Sequence, residues 1–448
     1  MSSAHRAVTI ARVDSHCRTY RLMLGLVVVA YLLLGGLYAI HTPPWQVPDE
    51  PAHYNYIHGM LERRRLPVLE VGDYDQDLLG QLTSERFPPE LPTHTLEYED
   101  HQPPLYYMLA APLFWLSGGN VLVLRLFSVG LGAGILILAY RTIRILFPAR
   151  PYLAVSTAAL IAFIPQHLAM MAGVNNDVLG ELMVAAILCT LMDYIVHHRD
   201  RAWWVGILLG LALLTKTTAY PMIGVAVCAV LIRWYRDRLG WRWIARQAVW
   251  FLGPALMVSA PWFARNGLVY GWTDPFGLGR HTQVVEGQPR SSEWLANYGW
   301  LGLTQRLVRT TFRSFWGQFG WMGVVLPVWA YRMLGVTSAL WGVGFIWWLP
   351  DFRRLTAPQK AGLAVLAVSA LLTVLAFLWY NLTFVQHQGR YLFPALIPVG
   401  LVIALSIETW GKLLPVPARA PVTIALFVGL AAFDVYCLFR AIVPALAR

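Results

Sequence analysis

Residues 45–53 read WQVPDEPAH and lie just beyond an apolar run at 22–40. Two adjacent carboxylates, Asp49 and Glu50, stand between Pro48 and Pro51 at the edge of that run. The prolines stiffen the backbone and the nearby hydrocarbon lowers the local dielectric, which is a setting where a general base can be tuned. Outward from this motif, a polar segment covers 42–104, and a second dense cluster, YEDHQPPLYY, follows at 98–107. The rest of the chain reads as a membrane scaffold that holds this loop.

Composition supports that reading. The 448 residues are 57% hydrophobic and only 13% charged, with a mean hydropathy of +0.51. A water-soluble globule needs more polar surface, so the sequence predicts an all-α polytopic membrane protein. Apolar runs recur from end to end, and only two polar stretches are long. These features predict one membrane domain over 1–448 with outer loops at 42–104 and 264–321.

The formal charge of +11 does not indicate nucleic-acid binding, because Lys and Arg fall in short clusters between apolar runs. Such clusters set orientation, since cytoplasmic loops retain basic residues. Cys17, Cys189, Cys228 and Cys437 are scattered without ligand-like spacing. They read as small core residues, and neither a disulfide framework nor a metal site follows from them.

Eleven spans are expected, at 22–40, 120–140, 152–171, 178–196, 202–214, 218–232, 247–263, 333–349, 361–380, 392–409 and 422–439. Residues 105–117, LYYMLAAPLFWLS, are apolar but short and contain Pro112, so they are read as an interfacial helix and not a crossing. This count places the basic groups Arg141–Arg150, His197–Arg201, Arg233–Arg246 and Arg353–Lys360 inside. Arg6, Arg12, Arg18 and Arg21 then put an uncleaved N-terminus in the cytoplasm, and both long loops lie outside.

Several residues outside the first motif can carry chemistry. Asp177, in VNND, stands at the outer end of a span, and Lys216, Arg265 and Arg390 are basic residues at the outer edges of three others. Arginine can grip a phosphate through two parallel hydrogen bonds, whereas lysine acts as a point charge. Snorkelling to lipid headgroups is the plain alternative for each. His53 and His58 follow Asp49 closely, but their spacing is not a metal-ligand signature. Arg125 and Arg332 lie in or near apolar runs, where an arginine must find a carboxylate or carbonyls.

Together, a first span with DE at its outer end, a long loop with HQPPLYY, an outward Asp177 and a late Gly-Arg-Tyr at 389–391 resemble the GT-C superfamily of integral-membrane glycosyltransferases. The nearest branch contains the protein O-mannosyltransferases and the lipid A aminoarabinose transferases. The resemblance implies a GT-C-like bundle whose first outer loop carries interfacial helices. It implies a donor sugar on a polyprenyl phosphate, a lipid, glycan or protein acceptor, and Asp49 as general base with Glu50 beside it. Asp177 matches the family's second outward acidic position, while Arg390 and Tyr391 fall near the donor phosphate. His53, His101, Pro103 and Pro104 belong to the substrate loop, although Gln102 interrupts the family's HPPL element.

Such a transfer needs a base on the acceptor and cations on the leaving phosphate, and inversion requires no second carboxylate as nucleophile; no cofactor follows from the residues. A divalent cation stays open, because some members of the superfamily use one. The expected setting is the outer face of a bacterial plasma membrane. A transporter or lipid flippase is the main alternative and a non-catalytic scaffold the second. Against the transporter, the acidic clusters lie at span ends and not in mid-span.

Overall fold

The structure, a computed structural model, describes residues 3–199 and 201–447, with side chains from residue 18 onward. The side chains of Arg6, Arg12 and Cys17 therefore lie outside the described residues. Helix α1 (Ser3–His41) carries the first apolar run and stops at Pro43 and Pro44, which cannot extend it. Helix α2 (Glu50–Arg63) starts at the acidic motif with Pro51 in its first turn. A short α3 (Gln76–Ser84) is capped by Asp75, whose side chain accepts from Leu78 N at 2.9 Å. Helix α4 (Leu105–Ser117) begins after Pro104 and ends at Gly118 in the left-handed region.

The central layer comprises α5 (Val121–Leu146), α6 (Pro151–Ala162), α7 (Pro165–Met171) and α8 (Asp177–Val196). Helices α6 and α7 form one apolar unit broken by a 69° bend before Pro165. Then come α9 (Ala202–Leu213), α10 (Met222–Arg236), α11 (Trp241–Tyr270) and two outer-loop helices, α12 (Leu278–Val284) and α13 (Ser291–Trp316). A two-residue antiparallel pair, β1 (Gln318–Phe319) with β2 (Val324–Val325), leads into α14 (Val328–Trp348) and α15 (Ala357–Tyr380). A 3-10 turn at Gly389–Ala395 opens α16 (Leu396–Gly411), and α17 (Val416–Tyr436) with α18 (Val443–Leu446) completes the chain.

Among the described residues, eight helices are long and apolar enough to cross a membrane, or nine if the bent α6–α7 pair is one span. The protein is an integral membrane protein. The eleven expected spans differ from this count by α9 and α11. Helix α9 has 12 residues, about 18 Å, which is too short to cross alone. Helix α11 has 30, with Pro254 and Pro261 inside it, and tryptophans and arginines dilute its apolar stretch. The two pack closely, because Gly206 and Gly210 bring α9 against the backbone carbonyls of Trp250, Phe251 and Ala255. Apolar windows in α8 and in 389–411 are 72% buried, against 22% in α14, so the former are core and the latter faces lipid.

A buried ion pair ties the first outer loop to this core. Arg125 of α5 donates to Glu50 through Nε at 2.8 Å and Nη2 at 2.6 Å. Its remaining hydrogens reach the carbonyls of Ala39 at 3.0 Å, Thr42 at 2.6 Å and Pro43 at 3.1 Å. Glu50 also accepts from Val174 N at 3.1 Å and Trp45 N at 2.9 Å. All five guanidinium hydrogens and the carboxylate lone pairs are thus used. The expectation that Arg125 must be paired is met, whereas Arg332 is exposed on α14.

The second outer segment closes over the first. Trp321 Nε1 donates to Trp45 O at 2.9 Å, Leu69 N to the Tyr270 hydroxyl at 3.0 Å and Arg280 Nε to Leu69 O at 3.0 Å. A small apolar cluster of Ala52, Leu79, Leu82, Phe87, Leu96, Tyr98 and Val285 fills the space between them.

Leaving one member of a buried pair alone is costly. Arg125→Met alone is expected to destabilise the protein by about 3–5 kcal/mol, and the double variant Glu50→Gln/Arg125→Met to recover part of that loss. Thermal unfolding of purified single and double variants measures both.

Candidate active site

A cavity of about 220 Å³ opens where the first outer loop, the Gln288–Pro289 turn and the 3-10 turn at Gly389–Ala395 meet. Asp49, Tyr98, Glu99, His281, Arg390 and Tyr391 are among its lining residues. Asp49 occupies the left-handed region with φ 67°, unusual for a residue other than glycine, and immediately precedes α2. Its neighbour Glu50, already helical, points into the bundle instead.

Each Asp49 oxygen has a partner. Oδ1 accepts from the Tyr98 hydroxyl at 3.0 Å, and Oδ2 accepts from Arg390 Nη2 at 2.6 Å. The pair is largely sequestered, with Arg390 8% and Asp49 22% exposed. Burial pushes the Asp49 carboxyl up, but the charges of Arg390 and His53 outweigh it and hold it below the usual carboxylate range. Asp49 is therefore ionised.

Glu99 has the opposite environment. Its Oε2 is buried and finds no partner among the described residues. Burial raises its pKa above the ordinary glutamate value, although His53 pulls the other way. His53 is buried, with Nδ1 2.8 Å from the Tyr107 hydroxyl, and burial lowers its pKa below the ordinary histidine value. Lys216 pairs with Asp177 at 2.8 Å, adjacent to but outside the cavity lining. Burial works against the Lys216 charge, but Asp177 and Glu99 raise its pKa above the ordinary lysine value.

The structure thus brings Asp49, Arg390 and Tyr391 together in one cavity and stations Asp177 and Lys216 behind them. Other expected site residues take structural places. Glu50 is saturated by Arg125 and the backbone, and does not line the cavity. Arg265 does not line it either: its guanidinium reaches the carbonyls of Leu66 and Pro67 and lies 5.0 Å over the Trp262 ring. His101 is buried, its Nδ1 3.2 Å from Tyr98 O and its ring 4.7 Å from that of His281. Burial lowers the His101 pKa to about 4. Pro103 and Pro104 are buried at the start of α4, where Leu105 N donates to Leu214 O at 2.9 Å.

Sequence reading missed Tyr98, Glu99 and His281 as lining residues. Tyr98 and Glu99 stand in the quoted YEDHQPPLYY cluster, and a carboxylate next to a tyrosine in that cluster was the available signal. His281 has no local signal. Among the described residues no group of three or more His, Cys, Asp or Glu is arranged to hold a metal ion.

The fold is shared with solved structures. The structure of ArnT from Cupriavidus metallidurans bound to undecaprenyl phosphate matches 95% of this chain and 73% of that chain, with 14% identity and a TM-score of 0.53. The apo form of the same protein matches 97% and 74%, at 14% identity and a TM-score of 0.56. The apo oligosaccharyltransferase of Archaeoglobus fulgidus matches 94% of this chain and 55% of that chain, at 13% identity and a TM-score of 0.52. The chain has the fold of the GT-C superfamily of integral-membrane glycosyltransferases, as its sequence motifs suggested. Within that class, the family model of dolichyl-phosphate-mannose-protein mannosyltransferase matches residues 101–263. No curated protein matches the sequence significantly.

Next to the cavity, Asp100 is 1% exposed and 3.6 Å from Arg63. Burial, then the charges of Glu97 and Asp73, push its carboxyl up to about 9. The folded protein then holds a proton that the unfolded chain releases above about pH 4. Stability is expected to fall as pH rises from that point toward 9, and Asp100→Asn is expected to flatten the decline. Thermal unfolding of both proteins across this range is the measurement.

Proposed function

We propose that the protein transfers a sugar from a polyprenyl-phosphate donor to a hydroxyl-bearing acceptor at the outer face of the membrane, with Asp49 as general base and inversion at the sugar. The observation that carries this reading is the Asp49–Arg390 pair inside a cavity at the loop end of the bundle. A base and a phosphate-binding cation are within bonding distance of each other there. Support also comes from the GT-C fold and from the undecaprenyl phosphate in one matching structure.

The chemistry follows from the pairing. A donor phosphodiester draws the Arg390 guanidinium toward itself through a bidentate fit, and the pull grows as a second charge develops on the leaving phosphate. Asp49 loses the cation that lowers its proton affinity and becomes a better base. The acceptor O–H gives its proton to Asp49 while its oxygen bonds to the anomeric carbon. The bond from that carbon to the phosphate oxygen breaks on the opposite face, and its electron pair leaves on the polyprenyl phosphate, which Arg390 stabilises. Lys216, neutralised by Asp177, adds field without a direct contact. The polyprenyl tail stays in lipid against the bundle. The acceptor is a lipid, glycan or protein, and the setting is a bacterial plasma membrane with the N-terminus cytoplasmic.

A second reading, a transporter or flippase, draws on the bent α6–α7 unit. His167 of α7 has Nε2 3.0 Å from Oε2 of Glu181 on α8, both buried, and a broken helix with a buried ionisable pair is a feature of transporters. Transport would not require Asp49 as a base.

Asp49→Asn is expected to lower turnover by about a hundredfold or more with the protein still folded, as befits a lost general base. Near-normal turnover would remove the assignment and bring transport assays forward. Arg390→Ala is expected to raise the donor KM more than the acceptor KM. Initial-rate kinetics with each substrate varied distinguish this from a structural role, in which both would change equally.

A further inference from the structure

Four carboxamides line the cavity. Gln76 comes from the first turn of α3, Gln288 from the turn before α13, and Gln386 and Gln388 from the segment leading to Arg390. Gln388 Nε2 donates to Gln386 Oε1 at 2.9 Å, and the Tyr74 hydroxyl donates to Gln76 Oε1. Gln288 Oε1 is buried with no partner among the described residues. These side chains have no part in the proton transfer or the phosphate contact argued above. Each offers a donor and an acceptor without charge, and the flanking rings of Tyr74 and Trp321 add apolar faces. An amide-and-aromatic wall of this kind suits a ring of hydroxyl groups.

The charges in the cavity narrow the choice. Among the described residues, Arg390 is the only guanidinium or ammonium in the lining, and on the transferase reading the donor phosphate takes it. A sugar carboxylate would then face Asp49 and Glu99 with no second cation, at the cost of burying an unpaired charge. A sugar ammonium would pair with Asp49, already held by Arg390, and would block the base. Glu99, whose Oε2 is buried without a partner among the described residues, has its proton affinity raised by burial and so suits a hydroxyl better than a cation.

Building on the transferase reading, we propose that the carboxamide wall of Gln76, Gln288, Gln386 and Gln388 recognises a neutral, hydroxyl-rich glycosyl group and discriminates against uronates and aminosugars on the same lipid phosphate. The wall grips the sugar while Arg390 holds the phosphate, so sugar and phosphate recognition are separable by mutation.

The test uses the full chain in lipid nanodiscs and displacement of labelled undecaprenyl phosphate. The competitors are undecaprenyl phosphate alone and its glucose-linked, glucuronate-linked and 4-amino-4-deoxyarabinose-linked forms. The glucose form is expected to displace at concentrations about tenfold lower than the sugar-free lipid and than either charged form. Gln76→Leu and Gln288→Leu are each expected to erase that gain while leaving the sugar-free lipid bound as before, which also shows that the variants are folded. Gln288→Glu is expected to shift preference toward the aminosugar form. Equal or tighter binding of a charged form by the parent protein, or a glucose gain retained in both leucine variants, overturns the proposal. If the sugar-free lipid itself fails to bind, the transferase reading falls and this inference with it.

Discussion

The Glu50–Arg125 pair is the constraint from which the rest of the site follows. Two consecutive carboxylates at the end of a span cannot both serve the cavity, because the backbone turns between them. Glu50 is drawn inward by a guanidinium on α5 that also takes three carbonyls from the end of α1 and the segment after it. The same carboxylate holds the backbone at Val174, just before α8. Four parts of the chain therefore meet on one buried charge pair. Burying such charges is unfavourable by several kcal/mol per ion unless every lone pair and hydrogen is satisfied, and here they are. With Glu50 fixed, Asp49 is held in its left-handed conformation and faces the cavity.

The remaining charges form pairs that a ligand can rearrange. Asp49 with Arg390 and Asp177 with Lys216 keep the site close to neutral in a low-dielectric setting. On the proposed transfer, a donor phosphodiester would change that balance more than any neutral ligand could. Its arrival would cost one ion pair and replace it with a bidentate one. The donor would thereby make the base available, linking the two substrates through a single guanidinium. The surrounding tyrosines stay neutral, since burial raises Tyr98 well above the usual phenol range.

Much of this was legible in the sequence, for physical reasons that also explain the gaps. Apolar run length and basic clusters reveal a polytopic bundle, because hydrocarbon thickness and membrane insertion impose them directly. The 105–117 segment folds as the short helix its length implied, with the same boundaries. Arg125 announced a partner, since an unpaired guanidinium cannot stay in an apolar run. Two expected crossings, α9 and α11, are not among the helices long and apolar enough to cross, because α9 is short and packs on α11 through Gly206 and Gly210, while polar residues and prolines dilute α11. Arg265 looked like a phosphate ligand by position, but loop carbonyls 199 and 198 residues earlier in the chain claim it. The Asp49–Arg390 pair, 341 residues apart, has no local sequence trace at all.

The opposing environments of Asp49 and Glu99 carry the argument furthest. Two carboxylates in one cavity share the same solvent and much the same burial, yet the proton affinity of one is lowered and that of the other is raised. The difference is a single cation in contact with Asp49 and absent from Glu99. Such a divergence marks distinct acid and base roles more reliably than the residue types do, because aspartate and glutamate are intrinsically alike. It also means that the roles are not permanent. On the proposed transfer, Arg390 would turn to the donor phosphate, the proton affinity of Asp49 would rise toward that of its neighbour, and a hydroxyl proton would have somewhere to go only then. Bound to a guanidinium and a phenol, the same carboxylate is a poor base for water. On that reading, the pairing itself would limit wasteful reaction with water until the donor arrives.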